Sequence, residues 1–204
     1  ARCAELDAER RTIRSSASAC LADLNLEADA AGLRLPPDPS SGAWATVGGA
    51  VSTNAAGARS VRYGSVRRWV ETIEMVTADA EVVELRRGAR PPAQALRRFE
   101  VETAPLIQAA TAEIAARFPR TRKNSSGYAL DHYLATGDVL DLVIGSEGTL
   151  GVVTAVEWRL DPVPPARGGL RVTLRSLDSL AEVAGILRRF DPSARAPPGA
   201  PTRP

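Results

Sequence analysis

The sequence predicts an α+β fold, a mixed sheet with helices on its outside. Three observations predict it. Residues 70–78 and 81–86 are β-branched and alternate in polarity, and Asp79-Ala80 between them makes a tight turn, so they read as a hairpin. Residues 19–31 and 99–118 carry apolar side chains at helical spacing. Residues 140–144 and 152–160 are apolar runs of strand length, parted by a glycine-rich turn.

Residues 1–17 are polar and carry no clear pattern. The first helix places Leu21, Leu24 and Ala28 on one face, and Gly32 suits its stop. Leu35-Pro36-Pro37-Asp38-Pro39-Ser40-Ser41-Gly42 cannot be helix or central strand, because proline lacks an N–H and fixes φ; it is a stiff loop. Residues 45–57 are small almost throughout, and residues 88–92 form a loop. The helix over 99–118 turns Leu106, Ile107, Ala110, Ile114 and Phe118 inward, with Pro105 as a kink or as its true start. Residues 140–144 suit a buried strand and 152–160 a second one.

Asp161-Pro162-Val163-Pro164-Pro165 marks a domain boundary. The expected organisation is a domain over 1–161, the start of another over 162–190, and a disordered Pro, Ala and Arg tail over 191–204. The second part would hold a strand at 169–175, then a helix capped by Ser176 or Asp178 with Leu180, Val183, Ile186 and Leu187 buried.

Composition narrows the function. The 204 residues carry 26 basic and 24 acidic side chains, a net charge of +2, too small to argue for nucleic acid or a membrane surface. The basic residues are arginine with the single exception of Lys123, and the Arg pairs, Arg67-Arg68 among them, are scattered like a solvated face. No apolar stretch reaches membrane-spanning length, and the charged N-terminus is unlike a secretion signal, so the expected location is cytoplasmic, or membrane-peripheral through a partner. Cys3, Cys20 and the lone His132 are too few for a zinc or iron–sulfur site built by this chain alone, so no metal is expected. His132 reads as a surface or supporting residue. Trp44, Trp69 and Trp158 read as core or strand-face packing.

Two stretches remain, 46–57 and 145–153. Small residues in a row let a phosphate or a ligand's backbone approach the main chain, and turn N–H groups can cradle an anion such as a diphosphate. Tight turns and close strand packing account for such stretches equally well. Neither stretch is a GxxxxGK[ST] loop, and the first is not GxGxxG, so neither ATP nor a dinucleotide on a Rossmann fold is supported.

Pro36-Pro37-Asp38-Pro39-Ser40-Ser41, then Ala45-Thr46-Val47-Gly48-Gly49, Ser52-Thr53-Asn54-Ala55-Ala56-Gly57 and Arg62-Tyr63-Gly64, resemble the FAD-binding domain of the vanillyl-alcohol-oxidase (PCMH) type, within it the glycolate oxidase and D-lactate dehydrogenase group of FAD-linked oxidases. Arg122-Lys123-Asn124-Ser125-Ser126-Gly127-Tyr128 and Gly145-Ser146-Glu147-Gly148-Thr149-Leu150-Gly151-Val152-Val153-Thr154 resemble the same group in the same order. The resemblance implies FAD as cofactor and an oxidoreductase acting on the CH–OH group of a small 2-hydroxy acid, with hydride passing to flavin N5. It implies that Pro37, Asp38, Pro39 and Ser40 run beside the flavin. Thr46, Gly48 and Gly49 would meet the diphosphate, largely through N–H dipoles, and Thr53, Asn54 and Gly57 the isoalloxazine or phosphates. Glu147, Gly148, Thr149, Gly151, Val152 and Val153 would line the adenosine end. Glu147 could reach a ribose hydroxyl or only fix its turn, and Lys123-Asn124 could face the flavin or be a solvated loop.

The sequence departs from the group mildly at Ala56, where a second Gly is frequent, and at Asp79-Ala80-Glu81, where an Asp-Gly turn is usual, and more strongly in two other ways. Nothing in residues 1–34 matches the group's earlier GGGTG diphosphate loop, and the histidines of its substrate domain have no counterpart here. The chain is therefore expected to be an internal fragment, incomplete at its N-terminus and holding only the start of a cap domain, with further segments or a partner chain needed and its catalytic residues unknown. The alternatives are a non-catalytic flavin-binding remnant and an apo interaction module.

Overall fold

The computed structural model describes residues 4–90, 93–121, 123–166, 171–174, 176–187 and 189. The chain divides into two compact units, Ala1–Val163 and Pro164–Pro204.

The first unit begins with a pair of strands, β1 (Ala4–Asp7) and β2 (Thr12–Ser16), then helix α1 (Leu21–Asp29) and the short strand β3 (Leu33–Arg34). Helices α2 (Val47–Ser52) and α3 (Ser60–Tyr63) precede strands β4 (Val70–Val76) and β5 (Val82–Arg86). A helical segment follows: α4 (Ala93–Arg98), a π turn over Phe99–Thr103, α5 (Ala104–Ala109) and α6 (Thr111–Arg117). Then come α7 (Leu130–Thr136), α8 (Leu140–Val143), β6 (Val152–Arg159) and β7 (Asp161–Pro162).

Five strands form one sheet in the order β1-β2-β6-β4-β5, and every pairing in it is antiparallel, where the expected sheet was mixed. β3 and β7 pair separately. The sheet is two-faced because its side chains alternate. Ile13, Ile73, Met75, Val83, Leu85, Val156 and Trp158 point into the core, where Leu21, Leu24 and Ala28 of α1 and Val47, Ala50 and Val51 of α2 also lie. On the other face Arg14 reaches Glu74 and Glu84, each at 3.1 Å. A register shift in β4 between Val70 and Thr72 leaves both Thr72 and Ile73 buried, and Thr72 Oγ1 donates to Glu157 at 2.9 Å. A second, smaller core joins Ile107, Ile114, Tyr133 and Leu142, with Phe99 edge-on to Tyr133 at 5.5 Å.

The first helix, the 35–42 loop, the hairpin and the 152–160 strand lie where the sequence placed them. Several expectations are corrected. The polar N-terminal segment forms β1 and β2, which show little apolar signal because only Ile13 and Ser15 of β2 are buried. Residues 140–144 are not a strand: α8 covers 140–143, buried all round, with Ile144 as its extended C-cap, and so short an apolar run carries no period that separates helix from strand. The 99–118 helix starts earlier, at Ala93, and is broken by the π turn that precedes Pro105 at the start of α5. Leu106 is 70% exposed where it was expected inward. Trp69 and Trp158 are core residues, but Trp44 is 85% exposed.

In the second unit, residues 171–174 hold no strand; the rest of the expected strand, residues 169, 170 and 175, lies outside the described residues. Helix α9 (Leu177–Leu187) forms, and the Ser176 hydroxyl accepts from the Ser179 N–H at 3.2 Å as its cap. Leu180, Ile186 and Leu187 are exposed, against the expectation that they are buried. The expected tail over 191–204 lies outside the described residues.

Candidate functional site

The small-residue stretches, far apart in sequence, meet at α2. Thr46 caps this helix, its hydroxyl accepting from the Gly49 N–H at 3.2 Å. Gly48 lies against β2: a Cβ there would come 2.9 Å from the Ala17 Cβ. At the other end of α2, the carbonyls of Val51 and Ser52 accept from the N–H groups of Gly145 at 3.0 Å and Glu147 at 2.9 Å. The second glycine-rich stretch is thereby sewn to the C-terminal end of the first.

Asn54 stands at this junction. It is 5% exposed and adopts φ +47°, a left-handed conformation that Asn tolerates better than most residues. Its Oδ1 accepts from the Arg67 N–H and its Nδ2 donates to the Asn124 carbonyl, both at 3.3 Å. Tyr128 and Thr149 share a hydroxyl contact at 2.7 Å, which ties the 123–129 loop to the 145–151 turn. Gly57 packs its bare backbone on Asp38, so the 37–40 loop also lies beside this junction, and Arg59 pairs with Asp38 at 3.4 Å. Gly151, at φ +151°, has no room for a Cβ, which would lie 2.6 Å from the Val76 carbonyl oxygen.

The predicted residues divide by exposure. Asp38, Ser40, Thr46, Gly49, Thr53, Glu147, Gly148, Thr149 and Val152 are exposed. Pro37, Pro39 and Asn54 are buried, and Gly48, Gly57, Gly151 and Val153 are half-buried. Thr46, Gly49 and Thr53 follow helical spacing, so they form one open face carrying two hydroxyls and no bulky side chain. Glu147 holds φ +55° in its turn and is exposed. Val152 and Val153 pair with Val76 and Met75 of β4.

One expectation changes in kind. The first amides of α2 are spent within the chain: Val47 donates to Ala19 O and Gly48 to Ala17 O, each at 2.8 Å, Gly49 to the Thr46 hydroxyl, and Ala50 to Thr46 O at 2.9 Å. This helix start therefore offers an anion the Thr46 hydroxyl proton and not a set of N–H dipoles. Small residues and hydroxyls on an open face suit an extended nucleotide's diphosphate, and the residues present fit such a group on that basis.

Sequence reasoning missed a buried charge cluster under the junction. Arg67, taken for part of a solvated face, is 8% exposed, and Asp141 is 2% exposed. The Arg67 guanidinium donates to the carbonyls of Asp141 and Ile144 and pairs with the Asp141 carboxylate at 3.3 Å. Burial pulls the Arg67 pKa down, with Asp141 acting against it. The readable signal was Asp141 itself, a lone acid inside an apolar run, which must find a cation when buried. Elsewhere Arg34 pairs with Asp161 at 3.0 Å and donates to the Tyr63 hydroxyl; burial opposes its charge, but these partners prevail and its pKa is raised. His132 sits half-buried on α7. Among the described residues, no group of His, Cys, Asp and Glu side chains could hold a metal ion, and no helix is long and apolar enough to cross a membrane.

Residues 1–86 match a family described as an FAD binding domain. This matched segment, residues 1–86, is an FAD-binding domain. FAD is this family's cofactor. The chain is similar to a D-lactate dehydrogenase of Anaerostipes hadrus, 32% identical over 84% of this chain and 27% of the relative. It is also similar to a D-2-hydroxyglutarate dehydrogenase of Xanthomonas citri pv. viticola, 30% identical over 90% of this chain and 30% of the relative. Among solved structures it shares its fold with an alkyldihydroxyacetonephosphate synthase, at a TM-score of 0.50 and 21% identity, over 79% of this chain and 21% of that one. The chain thus spans less than a third of the length of these relatives.

Proposed function

We propose that this chain is the cofactor-holding part of an FAD-dependent oxidoreductase that acts on the CH–OH group of a D-2-hydroxy acid, of the kind named by its relatives. The observation that carries the reading is the meeting of both small-residue stretches and the 37–40 loop around Asn54 and Gly57. When bound, FAD would supply the redox chemistry as the acceptor of a hydride equivalent. The chain's own residues hold and orient it. Thr46 presents its hydroxyl proton to the diphosphate across the glycine face of α2, while the Thr53 hydroxyl donates to the Gly49 carbonyl at 2.9 Å and closes that face; residues 37–40 run beside the flavin, and residues 147–153 line the adenosine end. No catalytic residue is assigned within the chain.

In this reading residues 1–161 are the FAD-binding domain and residues 162–190 open the substrate domain. The remaining walls of the site and the catalytic base come from residues outside these 204 or from a partner chain, and the protein acts in the cytoplasm on a small acid. The test is to titrate the full chain with FAD while following flavin fluorescence, then add D-lactate, D-2-hydroxyglutarate or glycolate and watch the flavin's visible absorbance. Saturable quenching supports the cofactor site, and bleaching by one acid identifies the substrate. Fluorescence unchanged by saturating protein contradicts the reading.

A further inference from the structure

The cluster beneath the junction lies outside every sequence motif that suggested a cofactor. It contains two arginines and two aspartates. Arg67 meets Asp141, and Arg87 lies 3.3 Å from Asp141 and 3.4 Å from Asp138. Arg87 also donates to the carbonyls of Val70 and Arg67, each at 3.1 Å, and Thr136 donates to the second oxygen of Asp141 at 3.0 Å. The charges balance, and the polar groups are bonded to one another, as a buried ionic cluster requires.

What singles out Arg67 is its reach. Its main-chain N–H holds Asn54, at the end of the first small-residue stretch. Its guanidinium holds the carbonyl of Ile144, the residue before Gly145, where the second begins. A Cβ on Gly145 would touch both partners, 3.3 Å from the Asn54 Cβ and 3.4 Å from an Arg67 nitrogen. One residue thus clamps both stretches from below. The task needs a planar fork that serves a carboxylate and two carbonyls at once; a lysine ammonium is a point charge on a flexible stem and cannot span them.

We infer that Arg67 is a positioning residue that holds the 144–149 turn against the end of α2 and so orders the surface the nucleotide meets. The inference rests on the FAD reading for what that surface receives; the clamp itself does not depend on it. Pre-formed surfaces bind more tightly because ordering has no further cost at the moment of binding.

Amide hydrogen exchange on the full FAD-free chain tests it, with Arg67→Lys and Asp141→Asn compared with wild type. In both variants the amides of Gly145 and Glu147 are expected to exchange about tenfold faster or more, while those of β4 and β6 keep their protection. FAD affinity should fall by a similar factor. Unchanged exchange at Gly145 and Glu147, or a uniform loss across the sheet, overturns the inference; so does failure of both variants to fold, which makes the cluster a core element only. Should wild type not bind FAD, the functional reading fails, while the exchange contrast still decides the clamp.

Discussion

Gly57 and Asp38 meet backbone to backbone: a Cβ on Gly57 would fall inside the Asp38 carbonyl. No flexible side chain can yield there, so Gly57→Ala must push apart the 53–57 turn and the 37–40 loop. Such overpacking costs ~1–3 kcal/mol. Urea unfolding should show that loss. If the two segments share one cofactor surface, FAD affinity should fall further than stability alone explains.

Asn54 separates two physical effects. Asn54→Ala removes the bonds to Arg67 and Asn124 and also puts a Cβ-bearing residue without a local hydrogen bond at φ +47°. Asn54→Gly removes the bonds but relieves the backbone. The alanine variant should lose ~3–4 kcal/mol, from strain of about 1–2 and two bonds of about 1 each, and the glycine variant should retain more stability. Denaturant midpoints of the pair check this, and equal midpoints would mean the left-handed turn is unstrained.

The ordinary tyrosine value is 10.0, and burial, with Glu100 as the second cause, pushes Tyr133 above it. Above pH 10 the unfolded chain therefore loses this proton before the folded chain does. The folded state then binds more protons, so stability from this group is full below the ordinary value and falls as pH rises through it towards the folded value. Tyr133→Phe should flatten that alkaline decline. Unfolding midpoints measured across this range, with tyrosinate absorbance followed in parallel, check the sign.

Much of this architecture is legible in local pattern, because α1 and the β4–β5 hairpin each bury one face of a regular element, and period alone reveals such a face. What escaped depends on partners distant in sequence. Residues 140–144 read as a buried apolar strand, yet they hold Asp141, which is buried because Arg67 and Arg87 reach it from the region of β4 and β5. The same partners turned Arg67 from a solvated residue into a core one. In the site, the glycines stood out for their lack of side chains, but at Gly48, Gly57 and Gly151 the missing Cβ serves packing against Ala17, Asp38 and β4. Close packing, one of the two readings open to a run of small residues, holds at these three glycines.

Thr46→Ala tests the hydroxyl face of α2. Removing this cap should cost ~0.5–2 kcal/mol of stability. Thr46→Ser keeps cap and hydroxyl and should restore both stability and FAD affinity, whereas Thr46→Asp keeps a capping oxygen but sets a negative charge against a diphosphate. Stability near wild type with FAD binding lost in Thr46→Asp is the expected pattern, read by thermal melting and flavin fluorescence.

The most direct test of the central claim, that the joined stretches form an FAD surface, is flavin retention. The full chain is mixed with FAD, desalted, and its visible absorbance recorded beside that of Gly57→Ala. A flavin band that stays with the wild-type protein and is diminished in the variant is expected. A wild-type protein that emerges colourless, or a variant that retains as much flavin as wild type, would contradict it.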